Sequence, residues 1–187
     1  NYTMKSIVAE CISKYPELRK LQFKMLFDKR KYLQLIKENN TTHIIDYLAS
    51  VDLNRSHSGQ QPLYTILKTA TLEIMDFLLT LPDINFNIET EDGIRPLHIL
   101  CDHAKTFEIV SKLIESGCAE IIGTKNKNPL ILASRNLNLI LNTPDKLEYF
   151  ISICEKNGIN LNDQTDDGWS VIHYLIRAGN VPVVLEA

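Results

Sequence analysis

Apolar residues recur along this chain in helical bursts separated by polar turns. IIDYLASVD from Ile44, IMDFLLTLP from Ile74 and IVSKLIESG from Ile109 each set an apolar pair one turn ahead of a second apolar pair. That spacing predicts amphipathic helices. Upstream, Met4, Ile7, Val8, Cys11, Ile12 and Tyr15 mark one helical face. Tyr15-Pro16-Glu17 then starts a second predicted helix, with Leu18, Leu21, Met25 and Leu26 turned inward.

A longer period of 33 to 34 residues overlies these bursts. GQQPLYTIL begins at Gly59 and GIRPLHIL at Gly93, which carries Pro62 onto Pro96 and Leu63 onto Leu97. Pro129 and Leu130 take the same places in NKNPLILAS, and GWSVIHYL from Gly168 repeats the pattern with Val171 in the proline slot. A fixed period of this length points to stacked units, each too small to bury its own apolar face. Every unit reads as a turn, a short helix opened by proline, a tight loop, a second helix and an extended link such as DINFN or GINLN. Proline fits the first helical position because that N–H has no intrahelical partner. The acidic turns ETEDG (Glu89 to Gly93) and QTDDG (Gln164 to Gly168) fall at matching places, and Asp-Gly suits a turn that needs positive φ. No third or fourth ligand at metal spacing accompanies their carboxylates.

The third unit is about eight residues longer than its siblings between Asn136 and Leu147, and Leu137, Ile140 and Leu141 keep helical spacing. Its first helix is therefore expected to run on by two turns, with Thr143-Pro144-Asp145 capping the next helix. The insertion at 137–146 either packs on its neighbour or forms a recognition bump. The chain starts at Asn and stops at Val183-Val184-Leu185-Glu186-Ala187 inside an expected helix, so a longer parent is expected.

The run Gly93 to His98, G-x-x-P-L-H, together with I-V-x-x-L-I-x-x-G from Ile109 to Gly117, resembles an ankyrin repeat. The resemblance covers residues 56–187, with a weaker repeat over 30–55. Tyr64 and Ile131 depart from the family's histidine and Asn126 from its turn glycine. The resemblance implies an all-α fold, an ankyrin-repeat solenoid of stacked helix-turn-helix units with an N-terminal helical cap. The cap would be 1–29 and the array 30–187, divided into 30–55 (degenerate), 56–90, 91–123, 124–165 (extended first helix) and 166–187 (truncated). It also implies that His98 ties neighbouring turns through backbone hydrogen bonds, and that rows of exposed residues on a concave surface are the usual contact surface.

Composition adds limits. The chain has 187 residues, 44% of them hydrophobic and 23% charged, with net charge -3, which argues against a disordered tail, a collagen-like rod or a disulfide miniprotein. No apolar run is long enough for a spanning helix, and NYTMKSIVAE lacks the features of a signal peptide. Cys11, Cys101, Cys118 and Cys154 are scattered without a C-x-x-C pair, which fits free thiols in a reducing compartment. The sequons at Asn1, Asn39, Asn40 and Asn54 are read as chance in an Asn-rich chain. Residues 1–50 carry nine Lys/Arg against five Asp/Glu, and residues 51–187 eleven against eighteen. The basic cluster at Lys24, Lys29, Arg30 and Lys31 reads as a solvated helix face, and nucleic-acid binding is disfavoured because the array itself is acidic.

For chemistry, the densest cluster is HILCDH, where His98, Cys101 and Asp102 could share a helix face while His103 points elsewhere. His173 reuses the His98 slot, so the histidine is read as structural rather than as a metal ligand or general base. Cys118 and Cys154 are read as small hydrophobes. There is no phosphate loop, no G-x-S-x-G and no H-E-x-x-H, so an enzyme is not expected, nor any cofactor, metal, membrane contact or small-molecule substrate.

If the units stack, equivalent positions form rows. One row reads Gln60, Ile94, Lys127 and Trp169. A second, late in the first helices, reads Lys68, Asp102, Arg135 and Arg177, with Thr69, His103 and Asn136 beside it. Trp169, Arg135 and Arg177 are the leading contact residues. The expected function is a module that binds another protein through this surface. The alternative is a recruiting arm of an enzyme whose catalytic domain lies elsewhere. A cytoplasmic setting is expected, and the Asn, Ile and Lys bias resembles arrays that intracellular bacteria export as effectors into a host cytosol.

Overall fold

The computed structural model describes residues 24–55, 61–123, 127–136, 139 and 144–177, and these are mostly helical. The earlier helices of the expected cap, Gln60, the apolar beats Leu137, Ile140 and Leu141, and residues 178–187 lie outside the described residues. The elements are β1 (Met25–Leu26), α1 (Lys29–Glu38), α2 (Thr41–Ala49), β2 (Val51–Asp52), α3 (Pro62–Leu67), α4 (Leu72–Thr80), α5 (Pro96–His103), α6 (Phe107–Glu115), α7 (Pro129–Arg135), α8 (Pro144–Lys156) and α9 (Val171–Arg177).

Local chemistry sets the helix starts. The Asp28 carboxylate accepts from Arg30 N at 2.8 Å and Lys31 N at 3.2 Å to open α1, and Asn40 does the same for α2 through His43 N. Thr71 opens α4 by accepting from Ile74 N. Each such side chain satisfies N–H groups that a helix cannot pair internally. Helices α3, α5 and α7 begin on Pro62, Pro96 and Pro129, and α7 has the Asn128 side chain as a cap in addition.

The helices pack in two rows. In one, α3, α5, α7 and α9 contact one another in that order; in the other, α2, α4 and α6 do so. Pairs α5–α6 and α7–α8 join the rows, and α1 packs on α2; α8 meets α6 through Phe150 and Phe107, whose ring centroids stand 5.7 Å apart at 73°. The core runs between the rows as one cluster that includes Leu63, Ile74, Leu100, Leu113, Leu130 and Phe150. Each fully buried aliphatic or aromatic side chain contributes roughly 1.5 to 3 kcal/mol by leaving water.

Turns repeat across the chain. Thr90 N donates to Ile94 O at 3.0 Å and Gly93 N to Thr90 O at 2.9 Å; Thr165 N donates to Trp169 O at 2.9 Å and Gly168 N to Thr165 O at 2.8 Å. Gly93 and Gly168 both sit at φ +77°, where a Cβ would be strained. Asparagines stitch the links: Asn54 donates to Asp83 O and accepts from Asn85 N, while Asn87, 33 positions on, donates to Cys118 O and accepts from Glu120 N.

Three expectations are corrected here. Met25 and Leu26 are not inward positions of a helix: they form β1, paired in parallel with β2, and both are about half exposed. Met25 N is held by Ser50 O at 2.9 Å, so the backbone ladder competes successfully with helix extension. The first helix of the third unit ends at Arg135, because Asn136 takes an extended ψ of 97° and its side chain is drawn inward. Cys118 is exposed beyond α6 rather than buried as a small hydrophobe, whereas Cys101 and Cys154 are buried.

Candidate interaction surface

The last turns of α7 and α9 each carry an arginine, Arg135 and Arg177, and α7 packs on α9. This brings together residues 42 positions apart in the chain. The Arg135 guanidinium lies 5.8 Å from the Tyr174 ring centroid, Tyr174 lies 5.2 Å from the Trp169 ring, and the Arg177 guanidinium lies 5.7 Å from the Trp169 ring. His173 stands 5.8 Å from Trp169 on the remaining side. The four side chains alternate cation, ring, ring, cation, with both arginines exposed and both rings half-buried. A guanidinium over an aromatic face is attracted by the ring quadrupole and keeps its in-plane N–H groups open.

Trp169 is positioned by its turn. Its N–H donates to Thr165 Oγ1 at 3.2 Å, and its carbonyl accepts from Thr165 N. The side chain then lies back over α9 instead of standing free.

The other sequence-predicted residues divide. Lys68, just past α3, is exposed, as is His103. Asp102 is half-buried, its carboxylate 3.5 Å from His103 Nε2. Lys127 is half-buried. Ile94 is half-buried against the core, and its backbone is occupied on both sides, donating to Thr90 Oγ1 and accepting from Tyr64 OH at 2.7 Å. Asn136 leaves the contact surface altogether. It is 8% exposed, and its amide donates to Ala104 O at 3.0 Å and Cys101 O at 3.3 Å, which ties the end of α7 to the end of α5. A buried amide finds backbone carbonyls to satisfy it, and that need overrides its place in an exposed row.

Tyr174 was the residue missed. It occupies the register position of Ile99 in α5, and only the packing of α7 on α9 places it between Arg135 and Trp169. The available signal was its spacing of three residues from Arg177 on one helix face.

The histidine slot is filled by three chemistries. The single O–H of Tyr64 is shared between Ile88 O at 2.8 Å and Ile94 O at 2.7 Å, reaching the following turn. His98 accepts from Arg95 N through Nδ1 at 3.0 Å. Its Nε2 edge is buried facing the carbonyls of Ile122 and Lys127 but closes no hydrogen bond of normal geometry with either. Ile131 offers no polar atom, and there Asn128 reaches the link after α8 instead, its amide donating to Asn160 O at 3.0 Å and to Asp163 Oδ2 at 3.3 Å.

Burial holds the His98 imidazole below its ordinary pKa, with Arg95 and Lys127 pushing the same way, while the facing carbonyls oppose the shift. The folded state therefore binds this proton less readily than the unfolded state. Stability from the neutral ring is whole above the ordinary histidine value near 6.5 and is lost as pH falls from there toward the lowered folded value. Melting temperature should decline as pH is taken from about 7.5 to 5.5, and His98→Gln should flatten that decline. An unchanged slope in the variant would remove His98 as its source.

Of the HILCDH cluster, Cys101 is fully buried and its thiol is pushed well above the ordinary value by that burial, so it is not an activated nucleophile. Burial likewise pushes Cys154 to about 12. Among the described residues no group of three or more His, Cys, Asp or Glu is placed to hold a metal ion. No described helix is long and apolar enough to cross a membrane.

An open groove of about 580 Å³ lies on another face, lined by Ile114, Ile121, Ile122, Ile153 and Lys156 among others. None of the predicted contact residues among the described ones borders it. No protein-family model matches this sequence, and no curated protein matches it either.

Proposed function

We propose that this chain is an ankyrin-repeat array, with units bounded as the sequence period divides them, that works in the cytosol as a protein-binding module. Its partner contacts the surface formed by the turns and the late first-helix positions. The reading is supported by the recurrent turn closures at Thr90 and Thr165, by the shared slot of Tyr64 and His98, and by the two-row helix packing. The observation that carries it is the Arg135–Tyr174–Trp169–Arg177 cluster, a preformed group of the side chains that most often anchor protein interfaces, held on adjacent helices. Such a surface binds with little ordering cost, since the rings are already packed in place.

Trp169→Ala should weaken partner binding by about 1 to 4 kcal/mol and leave the melting temperature within a few degrees of the parent. The measurement is affinity capture with the parent chain and with a Trp169→Ala/Arg135→Ala variant, followed by titration of the captured protein. Equal capture by both would sink the reading. A collapse in melting temperature would make Trp169 a structural residue.

A further inference from the structure

The paired arginines carry the reading of this surface one step further, to the chemistry of what binds there, and this step rests on the proposed function. We propose that the partner element is an acidic peptide segment whose carboxylates are received by Arg135 and Arg177 across the Tyr174–Trp169 pair.

Three observations support it. Neither guanidinium forms an ion pair among the described residues, whereas Arg95, Lys112 and Lys146 are each committed to carboxylates of the chain itself. Both guanidiniums lie instead over aromatic faces, which leaves their N–H edges available to grip a carboxylate with two parallel bonds. The row they belong to is basic within an acidic array: Lys68, Arg135 and Arg177 are exposed, and the one acid of the row, Asp102, faces His103. Residues 51–187 as a whole carry eleven Lys/Arg against eighteen Asp/Glu, so the positive patch is local and not a by-product of net charge.

A structural reading competes, because cations in the last turn of a helix interact favourably with its negative end. That effect needs no aromatic support and no alignment between helices, and the cluster has both. Nucleic acid would also supply anions, but base stacking needs an open ring face. Here each ring is half-buried and already has a guanidinium or a second ring against it. A long phosphate backbone would also run onto the acidic remainder of the array.

The test uses the full chain and three fluorescein-labelled probes: a Glu-rich peptide, the same peptide with Gln in place of Glu, and a single-stranded oligouridylate of similar charge. The Glu peptide should bind at least tenfold more tightly than the other two and should weaken steeply with added salt. Arg135→Gln/Arg177→Gln should lose at least tenfold, while the exposed Lys105→Gln, outside the row, should not. If the double variant melts early, each single Gln variant takes its place. The proposal is overturned if the Gln peptide binds as well, if the arginine variants bind like the parent, or if the oligouridylate binds more tightly. Should the Glu peptide fail while capture of a protein still depends on Trp169 and Arg135, the acidic-partner proposal falls and the binding-module reading stands. If capture is lost as an effect too, both fall.

Discussion

Phe150→Ala is expected to remove about 3 to 5 kcal/mol of unfolding free energy, the largest single loss foreseen for a side chain in this molecule. Phe150 is fully buried on α8, and its ring meets Phe107 of α6 edge to face at 5.7 Å. Tyr149 approaches the same Phe107 at 6.2 Å and 89°, so one ring on α6 receives two from α8. Truncation deletes the apolar contact, leaves a cavity, and forfeits an aromatic pair worth roughly 0.5 to 1.5 kcal/mol beyond its area. Domains of this size hold about 5 to 15 kcal/mol in total, so the variant should unfold at markedly lower urea with a similar slope. Phe150→Leu should recover most of the loss by refilling the space. A cost below about 1 kcal/mol would mean that α8 is not anchored through this ring.

Asn128→Ala should cost about 2 to 4 kcal/mol. The residue is fully buried, and its two ends do different work. Its Oδ1 opens α7 by accepting from Leu130 N at 2.9 Å and Ile131 N at 3.4 Å, while its Nδ2 reaches Asn160 O and Asp163 Oδ2 of the next link. Alanine removes a buried helix cap and takes one donor each from the Asn160 carbonyl and the half-buried Asp163 carboxylate. Asn128→Asp separates the two roles. It keeps an acceptor for the cap but loses both donors and sets a carboxylate beside Asp163, so it should destabilise about as much as alanine. Full stability in the aspartate variant would show that only the cap matters. Gly123 lies against Asn128 and Pro129, and a Cβ there would stand 2.9 Å from Ile159 Cδ1, so that side chain would have to shift.

The places where expectation and structure part have a common cause. Asn136 sits beside an exposed row by repeat register, yet its amide turns inward to two carbonyls at the end of α5. Leu137, Ile140 and Leu141 keep helical spacing, yet the helix before them ends at Arg135 because Asn136 is recruited across the units. Met25 and Leu26 suit an amphipathic helix and are taken by the backbone of Val51 and Asp52 instead. In each case a partner distant in the chain offers a hydrogen bond that local periodicity does not register.

Sequence alone determined the helix pairs, the prolines that open them and the glycine turns, because apolar spacing, a missing N–H and a positive φ act within a few residues of one another. It also marked Trp169, Arg135 and Arg177 individually. Only tertiary packing decided that Tyr174 stands between Arg135 and Trp169, that the Asn136 amide turns inward, and that Tyr64 and Asn128 reach the following turn or link while His98 closes a bond only to Arg95 at the start of its own helix. Those outcomes depend on which carbonyl or ring face a neighbouring element presents, and that is settled when the elements pack together.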